Sequence, residues 1–279
     1  MDAARQVSVA DSLRPAIEAM AAVGILNGDT SRDISNYVEG RAYGFFEPAV
    51  EERLQCGDSL SAVLDSVRAH LAELLPDVKW PRVYGIVSPY RQAIVNTDTV
   101  SLVALNHYLG PDYEAYSGFD PYTRRQKNAR LLPYHFTEAL LMRDYPQPLD
   151  SLNARPADAL DVMVHDGAVA AAMMRVIPQA ELTDVGGWTP AELAWLREHE
   201  AELMAELRDS GRLHSTDPLL KARLVEPGPA TMAFRLHAPG RAGRYLGLRM
   251  VERYLESHPD ASIGSLLADP KQVSVTVQE

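Results

Sequence analysis

The chain has 279 residues, of which 46% are hydrophobic and 23% charged, and a formal net charge of -11. These fractions suit a globular protein and exclude wholesale disorder, and the length allows one large domain or two small ones. A single cysteine, Cys56, excludes an internal disulfide framework and a cysteine-rich zinc module, and a pI near 5.2 argues against nucleic acid as a partner.

No stretch reaches the ~20 apolar residues that a membrane-spanning helix needs. The first apolar run, Ala16 to Asn27 (AIEAMAAVGILN), carries Glu18 and has no basic lead, so it reads as an amphipathic helix rather than a signal peptide. With a loose lead-in it forms an N-terminal segment, residues 1–40, ahead of a main domain over 41–279. Cys56 sits too deep, in EERLQCGD, to serve as a lipid anchor and reads as a buried or free thiol. The spacing of Leu60, Val63, Leu64, Val67, Leu71 and Leu74 predicts a helix over Ser59–Leu75, stopped by Pro76. Between Val83 and Leu105, β-branched runs are broken by Pro89 and by the turn-prone Asn96-Thr97-Asp98. They predict two or three short strands, a hairpin and its neighbour.

Asn106 to Arg130 is rich in Tyr, Gly, Pro and Arg and reads as a long ordered loop, a feature that is usually functional in compact domains. Helices are then expected over Pro133–Arg143, Asp158–Ile177 and Thr189–Asp209. The last of these opens on an N-cap threonine, a proline at the first helical position and Glu192 three after the cap. A final helix runs from Pro239 or Gly240 to Ser257. The fold class is α+β, mostly helical, with one small early sheet.

Several common chemistries lack their motifs: there is no GxxxxGK[ST] loop, no GxGxxG after a strand and no GxSxG elbow. Gly243 and Gly247, four apart in the last helix, suit close approach of another backbone. On the same helix Arg241, Arg244, Arg249 and Arg253 form either an anion site or a solvated face paired with Glu252 and Glu256. Two histidines lie on apolar helices beside acids: His135 with Glu138 three residues on, and His165 with Asp166. Such pairs usually satisfy one another or the backbone. The functional alternative has His135, Glu138, His165 and Asp166 converge on a metal ion in a hydrolase with a divergent site. In the loop, Tyr108, Tyr113, Tyr116, Phe119 and Tyr122 interleave with Arg124 and Arg125. This is the composition of a protein or peptide interface, or of a loop that simply wraps the core.

Five segments carry a resemblance in consistent order: LNHYLGPDYEAY with PYTRRQ, ALDVMVHDGAVAAAMMRVIP, WTPAELAWLREHEAELMAEL, LHSTD and PGRAGRYLGLRMVERYL. Over about residues 80–257 the chain resembles the GldB-like family, named for a lipoprotein of bacterial gliding motility and taken to be related to zincin metallopeptidases. The resemblance implies a zincin-like domain in which Glu138 stands at the glutamate of HExxH. The zinc ligands would then fall on Thr137 and Leu141, and Asp166 would take the third-ligand place. Leucine cannot bind zinc and threonine binds it poorly, so the implied protein is a pseudo-peptidase without a cofactor, zinc entering only in the hydrolase alternative. By the same resemblance it acts by binding a protein or peptide, in motility or secretion. Its binding residues would be Tyr116, Tyr122, Arg124, Arg125, Arg241 and Arg244, with His135 and Glu138 as remnants of the catalytic motif. Its place would be the cell envelope or periplasm if a leader was trimmed, and the cytoplasm otherwise.

Overall fold

The chain is described by a computed structural model over residues 3–54, 57–88, 92–148 and 156–276; Cys56 and Pro89 lie outside the described residues. It divides into two compact units, Met1–Ala62 with Lys79–Ala139, and Val63–Val78 with Leu140–Glu279.

The first unit opens with α1 (Ala3–Ala22), α2 (Ser31–Val38) and α3 (Arg41–Arg53). Helix α1 ends where Gly24 takes φ 77°, a left-handed turn that suits glycine. Helix α2 starts on a capping box, with the Thr30 side chain accepting from the Asp33 amide and Asp33 accepting from the Thr30 amide. No sequence expectation covers α2 and α3. Neither fully buries a residue, and the eight residues of α2 are too few to show a helical period. Helix α4 (Gly57–Leu74), which belongs to the second unit from Val63 on, matches its expected stripe, with Val67 and Leu71 buried.

The sheet follows as expected. It comprises β1 (Arg82–Ile86), β2 (Ile94–Asn96) and β3 (Val100–Ala104), ordered β1-β3-β2. Strands β2 and β3 form the antiparallel hairpin, Val95 opposite Leu102, and the Thr97 hydroxyl accepts from the Val100 amide inside the turn. Strand β1 is the neighbour, running parallel to β3 with Tyr84 opposite Leu102. Central β3 is buried along its whole length. Ala16, Ala19 and Met20 of α1 pack with Val100, Leu102 and Ala104 of β3 to make the core of this unit.

The Asn106–Arg130 segment is ordered, but it is not all loop. It holds single 3-10 turns and a short helix, α5 (Pro121–Gln126), which Asp120 caps by accepting from the Thr123 amide. Helix α6 (Leu132–Asp144) follows, and the division between the units falls within it.

The second unit is built on α7 (Ala159–Val176), opened by a capping box between Asp158 and Asp161. It is buried on every side, which makes it the central helix of the unit. Around it lie α8 (Leu182–Gly186), α9 (Pro190–Glu198), α10 (Glu200–Asp209), α11 (Pro218–Val225), α12 (Ala242–Ser257), α13 (Ile263–Ala268) and α14 (Lys271–Thr276). The Thr189 cap, Pro190 and Glu192 sit as expected. The single helix expected over Thr189–Asp209 is instead two, broken at His199 (φ -103°, ψ 11°), whose ring stacks on Trp195 and whose Nδ1 lies 2.9 Å from the Trp195 carbonyl oxygen.

Glycines set the central crossing. A Cβ on Gly247 of α12 would lie 1.7 Å from the Met163 carbonyl oxygen of α7, and one on Gly167 would lie 2.1 Å from the Gly247 carbonyl carbon. Gly243 likewise abuts the Leu224 carbonyl of α11, at 2.6 Å from a Cβ position. Close approach is therefore what these two glycines of α12 provide. Gly247→Ala is expected to destabilise the protein by about 3 kcal/mol in urea unfolding, because the obstructing atoms are backbone and cannot rotate away. Gly44→Ala, on α3 with nothing within 4 Å of the new methyl, is expected to stabilise it by roughly 0.5–1 kcal/mol.

Candidate functional site

In the first unit, α6 presents His135 and Glu138 toward the segment that follows β3. The Tyr108 hydroxyl lies 3.2 Å from His135 Nδ1, and the two rings are 5.8 Å apart. Tyr108 is buried, and burial followed by the nearby Glu138 charge raises its pKa above that of ordinary tyrosine, so it stays a neutral hydroxyl. Thr137, between them, is buried with its hydroxyl donating to the Pro133 carbonyl at 2.7 Å, and Leu141 is fully buried.

The adjoining aromatic segment folds around its own side chains. Tyr116 is 3% exposed; its hydroxyl donates to the Asn106 carbonyl and accepts from the Leu109 amide. Its expected place on a binding face is thus corrected to an interior one. Arg124 donates through Nε and Nη2 to the Pro111 carbonyl at 3.1 and 3.0 Å, which fixes the turn. Arg125 lies 5.6 Å from the centre of the Tyr122 ring, and both are partly exposed. Phe119 stands out at 47% exposure.

Lys127 carries no signal in the sequence. It is only 9% exposed, with its ammonium 5.0 and 4.9 Å from the Tyr116 and Phe119 rings and 3.3 Å from His107 Nδ1. Burial lowers its pKa. The partners are eight to twenty residues away in the chain and belong to no spaced motif, so only the folded loop assembles them.

In the second unit Asp166 and Arg244 meet. Arg244 Nε and Nη2 donate to the two carboxylate oxygens at 2.8 and 2.7 Å, and Nη1 donates to the Val185 carbonyl at 3.0 Å. Both side chains are buried. The expected third metal ligand and one expected anion-binding arginine are therefore each other's partners. Arg241 opens α12 in the left-handed region at φ 58°. Arg249 pairs with Glu252 and Glu200, and Arg253 pairs with Glu200, so this outer face is the acid-paired alternative. His165, beside Asp166, is wholly buried; its Nε2 donates to the Tyr145 carbonyl at 3.0 Å, while Nδ1 has no hydrogen-bond partner among the described residues. Burial pushes its pKa below the ordinary histidine value, against the upward pull of Asp166.

The donor set that the HExxH alignment would require does not fit zinc. One position is a buried leucine, one a threonine engaged with the backbone, and the third an aspartate closed by a guanidinium. His135 and Glu138 belong to the first unit and His165 and Asp166 to the second, and each pair has contacts inside its own unit. Among the described residues no three His, Cys, Asp or Glu side chains form a metal-binding group. The His135 ring and the Tyr108 phenol are placed to share a proton.

Removing one member of the buried ion pair leaves the other charged in an apolar interior. Asp166→Ala or Arg244→Ala is expected to cost about 3–5 kcal/mol in denaturant unfolding. The double variant Asp166→Leu/Arg244→Met recovers most of that loss. His165 makes a separate pH prediction. Its folded pKa is depressed, so below pH ~6.5 the unfolded chain binds a proton that the folded chain refuses, and stability falls as the pH drops. The fall ends below the folded pKa. Melting temperatures measured from pH 7.5 to 5 should show this slope, and His165→Gln, which keeps a donor for Tyr145, should lack it.

The sequence model of the family described as gliding motility protein GldB matches residues 21–275. No curated protein and no solved structure matches the chain. No helix among the described residues is long and apolar enough to cross a membrane. With matching segments in both units, and with a match covering nearly the whole chain, the protein belongs to the GldB family of gliding motility proteins.

Proposed function

We propose that this protein acts by binding, not catalysis: a GldB-family protein of the bacterial cell envelope that holds a protein or peptide partner within a motility or secretion machinery. Its scaffold is zincin-like, with the metal given up. The observation that carries this reading is the bidentate Arg244–Asp166 pair, which occupies both oxygens of the carboxylate that a zincin resemblance would make a zinc ligand. A water-activating zinc needs open donors on three side chains and a free fourth position, and this carboxylate has a guanidinium across its face instead.

The partner-facing element is the segment 106–128. Its inner side is fixed by Tyr116, Arg124 and Lys127, and its outer side offers Phe119, Tyr122 and Arg125. A rigid loop that presents aromatic and arginine side chains loses little entropy on binding.

Two measurements test the reading together. Elemental analysis of the purified full chain is expected to give under about a tenth of an equivalent of transition metal, where a zinc enzyme gives about one. A photocrosslinker placed at Phe119 in the bacterium that makes the protein is expected to trap one discrete adduct, lost in Tyr122→Ala/Arg125→Ala while the melting temperature is kept. A stoichiometric metal, or an adduct indifferent to both substitutions, overturns the proposal.

A further inference from the structure

An apolar groove of about 360 Å³ opens in the first unit between α1, α2, α3 and β1, walled by residues such as Ile17, Met20, Ile34 and Val50. Leu13 and Val38 line it and are still 45% and 47% exposed; Phe45, on α3, is 60% exposed. Large apolar side chains grouped in this way on a surface mark a contact site. The groove is firmly built. The Tyr37 hydroxyl donates to the Val87 carbonyl at 2.6 Å and accepts from the Val87 amide at 3.0 Å, which ties α2 to the end of β1.

The charge at its edge is of one sign. Glu47 and Glu51 line the groove one helical turn apart on α3, and no lysine or arginine lines it among the described residues. No cation pairs with either carboxylate among the described residues. Desolvation, and then the Glu51 charge, raise the Glu47 pKa. Like charges at i and i+4 oppose the helix that carries them. Arg53, the basic residue of the last turn of α3, is engaged elsewhere, with the Leu109 carbonyl and Asp112.

We propose that this groove docks an amphipathic segment of a partner protein, with its apolar side chains against Ile17, Met20 and Val38 and a lysine or arginine on Glu47 and Glu51. An apolar trough with an uncompensated carboxylate pair at its edge is complementary to such a segment in both shape and charge, and helix-in-groove recognition uses this combination. The inference is independent of the 106–128 loop.

The test uses the full chain and two labelled probes, an amphipathic Leu/Lys peptide of about 14 residues, long enough for four helical turns, and its Leu/Glu counterpart. Fluorescence anisotropy is expected to show saturable one-to-one binding of the Leu/Lys peptide and none of the Leu/Glu peptide. Glu47→Gln/Glu51→Gln, and separately Val38→Asp, should each weaken binding at least about tenfold. The double glutamine variant relieves a repulsion, so it should melt no lower than wild type, which separates lost docking from lost folding. Neutralising the exposed Glu202 and Asp209 on α10 lowers the net charge equally and should leave binding unchanged, as should Tyr122→Ala/Arg125→Ala. Absent saturation, undiminished binding by the double variant, or an equal loss in the α10 control would each overturn the proposal.

Discussion

The second unit depends on how closely α7 and α12 approach. Gly167 and Gly247 let the two backbones touch, and that separation is what lets Arg244 reach across to Asp166. The order of cause matters here. Asp166 immediately precedes Gly167, and Arg244 lies one turn before Gly247, so the glycines that permit contact also bring the charges together. A bulkier residue at either glycine would part the helices and leave both ions in an apolar interior without a partner. The ion pair therefore reports on the crossing and does not drive it: buried pairs contribute little net stability, but they penalise any packing that separates them. Around this crossing the other helices are placed by ordinary means, with Gly243 seated on α11 and the Trp188 indole donating to the Gly240 carbonyl.

What the sequence discloses follows from range. Signals contained within a few residues are legible and correct: the Thr189-Pro190-Glu192 start, the Asn96-Thr97-Asp98 turn, the limits of α7, and the packing role of Gly243 and Gly247. Short elements that bury one side only against neighbours are not legible, because α2 and α5 contain too few residues to show a period. The break at His199 is local, yet no glycine or proline marks it. Long-range pairings are the least accessible. Asp166 and Arg244 are separated by 78 residues, and each, taken alone, looks like a ligand in search of a metal or an anion. Tyr116 misleads for the same reason: its neighbours suggest a surface, whereas its hydroxyl is used by Asn106 and Leu109.

Both units place titratable groups in apolar surroundings, and they handle them differently. In the second unit the buried charges are neutralised by pairing, and His165 is held neutral by burial. In the first, Lys127 is covered by aromatic faces with His107 at its ammonium, and Tyr108 keeps its proton near His135 and Glu138. The unusual pKa directions are accounted for by packing, which weakens the usual inference from perturbed titration to catalysis.

Within an apolar helix pair an aspartate requires a positive charge of some kind, since desolvation of a lone carboxylate is prohibitive. A metal ion supplies it with coordination positions to spare, and those positions are where water is activated. A guanidinium supplies it with donors that point at the carboxylate and, through Nη1, at the Val185 carbonyl, which leaves no such position. The guanidinium thus satisfies the electrostatic demand of the buried carboxylate by itself. The buried pair is closed to solvent, whereas the exposed side of the 106–128 segment and the acidic edge of the α1–α3 groove are open to it.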